Sequence, residues 1–113
     1  MQTSYFANYK GLDAVSIAVG SPKWYSGDKA PELMPTWKMV KAGYSYEEYI
    51  ELLKSRGLTA GEVYEKYKGK VLLCWEKDRS ECHRGMLARW IKEEIGIEIK
   101  EWNKLQQKEL FFN

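Results

Sequence analysis

The chain is poor in the residues from which metal clusters and disulfide scaffolds are built. Its 113 residues include two cysteines, Cys74 and Cys82, and one histidine, His83. Two cysteines are too few for a disulfide framework. A structural zinc site usually draws on four Cys or His ligands, so no metal is expected, and no other cofactor is assigned. Long apolar runs are also missing: none approaches the roughly 18 residues of a membrane span, which excludes a membrane partner. The N-terminal region carries Lys10 and Asp13 and lacks an apolar signal-peptide core. That points to a cytoplasmic chain whose thiols are reduced. Excess charge of one sign is lacking too. Eighteen Lys and Arg face sixteen Asp and Glu, a net +2, too mild for a protein that coats nucleic acid.

The balance of 44% hydrophobic and 30% charged residues is that of a globular chain, and 113 residues suffice for one compact domain. Thr3–Phe6 reads as a first strand. The alternation of Val15, Ile17 and Val19 within Asp13–Val19 reads as a second, closed by Gly20. Residues 20–36 hold all three prolines and read as a long loop with a short helical turn near Glu32–Met34. A loop this long in a small domain is more often functional than idle. Ser45 caps a helix to about Arg56, with Tyr46, Tyr49, Ile50 and Leu53 as its apolar stripe and Gly57 at its end. Thr59 and Glu62 have capping-box spacing and open a helix to about Tyr67. Val71–Trp75, VLLCW, is a continuous apolar run and reads as a central parallel strand covered on both faces. A helix follows from Glu81 or Cys82 to Glu94, burying Leu87, Trp90, Ile91 and Ile95 and ending at Gly96. Ile97–Glu101 alternates as a last strand. This order predicts a small single-domain Rossmann-like α/β fold over residues 1–103, three-layered, with a mostly parallel sheet. Residues 104–113 read as a C-terminal tail or a short helix, whose Leu110-Phe111-Phe112 end suits docking or contact with a second copy.

The informative stretch is Leu72-Leu73-Cys74-Trp75-Glu76-Lys77-Asp78-Arg79-Ser80-Glu81-Cys82-His83-Arg84. A buried strand ends, a polar loop crosses the sheet's edge, and a helix begins. Ligands of open α/β sheets bind at the carboxyl ends of strands, and helix starts favour anions. A Cys82 thiol there, beside His83 and Arg84, gains thiolate character. Arg84 suits a bidentate contact with phosphate or carboxylate. Glu76 suits a sugar hydroxyl or the orientation of His83. The bland alternatives are Cys74 and Cys82 as small core residues and His83 as a solvated helix cap. Position 88, six after Cys82, is Ala88 rather than the arginine of a phosphatase loop, and Arg89 is one residue late. Lys23, Trp24 and Tyr25 follow the second strand, and an aromatic face with a nearby cation suits a planar group. Trp24 and Trp37, both in loop-like sequence, are the better ligand-facing tryptophans. Arg79, Ser21 and Phe6, close to strand or loop ends, complete the candidate set.

Cys82-His83-Arg84 following Leu72-Leu73-Cys74-Trp75-Glu76-Lys77 resembles the hallmark of the domain-of-unknown-function family 488, which reads much like L-L-C-[YFW]-E-K and then C-H-R. Thr3-Ser4-Tyr5-Phe6, Ser16-Ile17-Ala18, Pro22-Lys23-Trp24-Tyr25 and the Tyr46–Tyr49 segment fit the same pattern, so the resemblance runs from about Thr3 to Trp102. It implies a small Rossmann-like domain and a site at Cys82, His83 and Arg84. It implies no settled activity. Gly85 departs from the larger or polar residue of many members, which either opens room for a ligand or relaxes the helix start.

The favoured functional reading is a strand-end pocket that binds a phosphate-bearing, nucleotide-like small molecule, sequestering a nucleotide signal without catalysis. The helix start and Arg84 would take the phosphate, and Trp24 or Tyr25 would stack the planar group. The alternative is a cysteine-dependent enzyme, with Cys82 as nucleophile on an anionic substrate and His83 as proton shuttle. Neighbours within a helix point about 100° apart, which counts against that pairing. Nucleic acid is a less favoured partner. It would bind through segment 77–92, where Lys77, Arg79, Arg84, Arg89 and Lys92 outweigh Asp78 and Glu81 by three charges. An interaction domain whose Phe111-Phe112 end docks a partner or, in a homo-oligomer, a second copy is the remaining reading.

Overall fold

The computed structural model describes residues 1–102. Its centre is β4 (Val71–Cys74), whose four residues are all buried. It pairs in parallel with β1 (Gln2–Tyr5) on one side and with β2 (Ala14–Ser16) on the other. A strand flanked on both sides and covered on both faces must be apolar along its whole length, which is why VLLC does not alternate. The sheet is completed by β3 (Asp28–Lys29) beside β2 and β5 (Lys100–Glu101) beside β1. Its order is β3-β2-β4-β1-β5, and every pairing is parallel, so the expected α/β domain with a mostly parallel sheet is present. Trp75 is not part of the central strand. The ladder stops at Cys74, and the Trp75 side chain is 54% exposed.

The register sets Thr3, Leu72 and Val15 in one row, and Ser4, Leu73 and Ser16 in the next. These rows face opposite sides of the sheet. The chain returns from β1 to β2, past β4, in residues 6–13 alone, whereas such crossovers usually take about a dozen residues or more. The longer crossover, from β2 and β3 to β4, carries α1 (Trp37–Ala42), α2 (Tyr46–Ser55) and α3 (Ala60–Tyr67). The last crossover carries α4 (His83–Ile95), against which both α2 and α3 pack.

The helix ends follow local chemistry. Ser45 and Glu48 exchange side-chain and backbone hydrogen bonds in a full capping box, and Gly57 ends that segment at φ 79°. The Thr59 hydroxyl accepts from the Glu62 N–H. Gly96 stops α4 in the left-handed region at φ 72°. Within α4, Leu87, Trp90 and Ile91 are buried as expected, but Ile95, on the last turn, is 40% exposed. Two short elements that bury no residue fully were not expected. α1 has no buried residue. β3 is a two-residue edge pairing with both side chains exposed. The expected turn near Glu32–Met34 is a 3-10 turn at Pro31–Leu33, and the Leu33 carbonyl accepts from the buried Tyr49 hydroxyl at 2.6 Å. Among the described residues no helix is long and apolar enough to cross a membrane. The expected 104–113 tail lies outside the described residues.

Gly85 has a packing role. A Cβ built there meets the backbone oxygen of Arg79, in the 3-10 turn Arg79–Glu81 that leads into α4. At Gly61, in α3, a Cβ meets nothing within 4 Å. Gly85→Ala is therefore expected to destabilise the fold by about 1–3 kcal/mol through overpacking. Gly61→Ala is expected to be neutral or to stabilise by up to about 1 kcal/mol. Urea unfolding of both variants beside the parent chain measures the contrast.

Candidate functional site

The end of β4, the start of α4 and the loop after β2 enclose a cleft of about 430 Å³. Its lining includes Gly20, Ser21, Trp37, Tyr44, Cys74, Trp75, Glu76, Glu81, Cys82 and His83. This is the carboxyl edge of adjacent parallel strands, where an open α/β sheet leaves a crevice because the chain departs to different layers. Of the residues expected from the sequence, Ser21, Glu76, Cys82 and His83 share this cleft. Trp37, 60% exposed, forms part of its wall. Trp75, which the sequence placed inside the buried run, lines it as well, and its indole N–H donates to the Gly20 carbonyl.

Arg84 does not face the cleft. Its side chain is fully buried, and every N–H of its guanidinium has a partner. Nε and Nη2 donate to the Glu101 carboxylate, at 3.1 and 2.7 Å. Nη1 donates to the Glu76 carbonyl at 2.6 Å and to Cys74 Sγ at 3.0 Å, and Nη2 also reaches the Lys77 carbonyl at 3.2 Å. A guanidinium saturated in this way has no donor left for a phosphate. The expected anion clamp is instead a clasp holding β5 and the 76–77 loop to α4. Arg79 is diverted similarly: its Nη1 donates to Thr3 Oγ1 at 3.0 Å and to the Ile99 carbonyl at 2.8 Å. With Arg84 buried, Arg79 engaged and Arg89 paired with Glu93 at 2.6 Å, segment 77–92 does not form one continuous basic face.

The other expected ligand residues lie elsewhere. Phe6 is buried and packs edge-on against Trp24, Tyr25 and Trp75. Trp24 and Tyr25 line a separate hollow with Tyr9, Lys10 and Asp28, where Lys10 Nζ sits 4.8 Å from the Trp24 ring centroid. The Tyr25 hydroxyl donates to the Asp28 carbonyl at 2.6 Å. Lys23 is exposed.

At the floor of the cleft, Cys74 and Cys82 are joined as a disulfide, where the sequence pointed to separate reduced thiols. Cys74 closes β4, and Cys82 is the N-cap of α4 in extended backbone, φ −129° and ψ 149°. The N-cap position also removes the objection to a Cys82–His83 pairing. Cys82 precedes the helix, so its side chain is not bound to the helical rotation, and its Sγ lies 3.8 Å from His83 Nδ1. The other imidazole nitrogen, Nε2, is 2.6 Å from the Ile17 carbonyl. A carbonyl only accepts, so Nε2 carries the proton and Nδ1 presents its lone pair to the sulfurs. Burial pushes the His83 imidazole down from 6.5 to about 4, with the nearby Arg84 charge adding to the effect and the Ile17 hydrogen bond opposing it. His83 is neutral at pH 7.

Two stability measurements check this arrangement. Arg84→Met leaves the partly exposed Glu101 carboxylate and the Glu76 and Lys77 carbonyls without their guanidinium donor and is expected to cost about 1–3 kcal/mol in urea unfolding. A ligand clamp would be lost with little change in stability. For His83 the unfolded imidazole binds its proton near pH 6.5 and the folded one near 4. Protons therefore favour the unfolded chain. Stability is greatest above pH 6.5 and is expected to fall by up to about 3 kcal/mol between pH 6.5 and 4. His83→Gln should flatten that part of the profile.

Comparison with known proteins places no relative beside this site: no family model, no curated protein and no solved structure matches the chain.

Proposed function

We propose that the protein binds a planar, nucleobase-like small molecule in the cleft at the carboxyl ends of β2 and β4. The observation that carries this reading is the pair of partly exposed indoles, Trp37 and Trp75, on the wall of a cleft of about 430 Å³, a size within the usual range of small-molecule sites. Trp75 is held by its bond to Gly20, so its share of the wall is in place before a ligand arrives. Glu76 and Glu81 on the lining accept hydrogen bonds from ring N–H, amino or sugar hydroxyl groups. Among the described lining residues there is no Lys or Arg, and Arg84 is committed to Glu101. The chemistry of the cleft therefore favours the base or nucleoside part of a nucleotide-like ligand over its phosphate.

A cysteine-dependent enzyme is the second reading, favoured by the 3.8 Å approach of Cys82 Sγ to His83 Nδ1 within the same cleft. It requires the reduced form of the Cys74–Cys82 pair, because the thiolate is the nucleophile.

Quenching of tryptophan fluorescence by a panel of nucleobases, nucleosides and nucleoside monophosphates tests the binding reading. Bases and nucleosides are expected to bind, with monophosphates no tighter. Trp37→Ala is expected to weaken binding by about 5- to 150-fold, the loss of one stacking contact of about 1–3 kcal/mol. Lys23→Ala, away from the cleft, should bind as the parent does. Absence of quenching across the panel, or equal affinity in Trp37→Ala, overturns the proposal.

A further inference from the structure

The sequence argues against metal because it counts toward a structural site of four ligands. A site that keeps one position open needs three. Among the described residues one group of three thiol, imidazole or carboxylate side chains is close enough to share an ion: Cys74, Cys82 and His83. Their ligand atoms lie within 4.8 Å of one another, and all three residues are buried. We propose that, when the Cys74–Cys82 pair is reduced, these residues form a Cys2His centre for a thiophilic divalent ion such as zinc, with its fourth position open to the cleft. This inference stands on the ligand geometry and does not depend on the planar ligand.

Five features support it. Two sulfurs and an imidazole nitrogen are a donor set that zinc takes in preference to magnesium or calcium. Zinc bonds of about 2.0–2.3 Å hold their ligand atoms roughly 3.5 Å apart, inside the observed spread. The Cα atoms of Cys74 and Cys82 are 7.2 Å apart, which leaves the sulfurs room to separate around an ion. His83 already has the outer hydrogen bond typical of a metal-bound histidine, with Nε2–H on the Ile17 carbonyl and Nδ1 turned toward Cys82. Arg84 Nη1 donates to Cys74 Sγ at 3.0 Å, a contact that steadies a thiolate while Glu101 balances the guanidinium charge.

The disulfide and the metal centre exclude each other. A dithiol reductant breaks the S–S bond, giving two thiols while it is itself oxidised to a disulfide. The ion then binds two thiolates and the neutral imidazole, and the two thiol protons leave to solvent. The site is thus open to the metal only in the reduced state.

The test uses the full chain, reduced under anaerobic conditions with a phosphine so that no added thiol competes, and titrated with cobalt(II). One cobalt per chain is expected, with sulfur-to-cobalt absorption in the near ultraviolet, intense visible bands of a tetrahedral site, and loss of both on adding zinc. Cys82→Ser and His83→Ala should each lower affinity at least tenfold, whereas Trp37→Ala should bind cobalt as the parent does. A readout in the parent chain needs no variant to fold: bound zinc is expected to slow alkylation of Cys74 and Cys82 at least tenfold. Three results overturn the proposal: a folded, reduced chain that takes up no cobalt, uptake that survives replacement of both cysteines by serine, or alkylation that zinc leaves unchanged. Because Trp37→Ala separates the two, failure here is distinct from failure of planar-ligand binding.

Discussion

The Arg84 guanidinium, withdrawn from water in the first turn of α4, is the contact on which the rest of the carboxyl edge depends. It joins the Glu101 carboxylate of β5, two carbonyls of the 76–77 loop and the sulfur that ends β4. A buried cation is tolerated only when its charge is balanced and each N–H is satisfied. Here the groups that satisfy it come from two separate segments of the chain, residues 74–77 and Glu101. Holding the guanidinium therefore holds the loop, and holding the loop places Trp75, Glu76 and Cys82 around one hollow. Thr3 reinforces the clasp, donating to Glu101 at 2.7 Å while accepting from Arg79.

This clasp divides the Cys-His-Arg sequence into two roles. The first two residues turn to the cleft and the third turns away from it. The division arises from the helix start: Cys82 is still extended, His83 and Arg84 are the first helical residues, and successive side chains leave the axis in different directions. One turn of chain thus supplies a sulfur and an imidazole to the cleft and a guanidinium to the interior.

Sheet, helix caps and central strand were legible in the residues. VLLC has the unbroken apolarity of a strand buried on both faces. Ser45 with Glu48 and Thr59 with Glu62 announce helix starts, and Gly57 and Gly96 announce helix ends, because capping is local chemistry. The elements that escaped are short ones at the margin of the core. α1, six residues capped by Thr36, fully buries no side chain and packs only Met39 against the core, and β3 owes its two residues to the backbone of β2 rather than to its own side chains. Ile95 reads as core by helical spacing, yet it is the last residue of α4 and its side chain is 40% exposed.

The position of the cleft, at the turn between VLLCW and the next helix, follows from strand ends and helix starts, which are sequence features. What each residue does there was not. Burial and charge pairing depend on groups distant in sequence: Arg84 is captured by Glu101, Arg79 by Thr3, and His83 by the carbonyl of Ile17. The sequence by itself determined the α/β class, the approximate bounds of α2, α3 and α4 and the position of the Cys-His-Arg turn, because propensity, capping and periodicity act within a few residues. The tertiary structure alone decided that Arg84 braces the fold, that Trp24 and Tyr25 serve a different hollow, and that Cys74, Cys82 and His83 converge, because those outcomes are set by register and crossover.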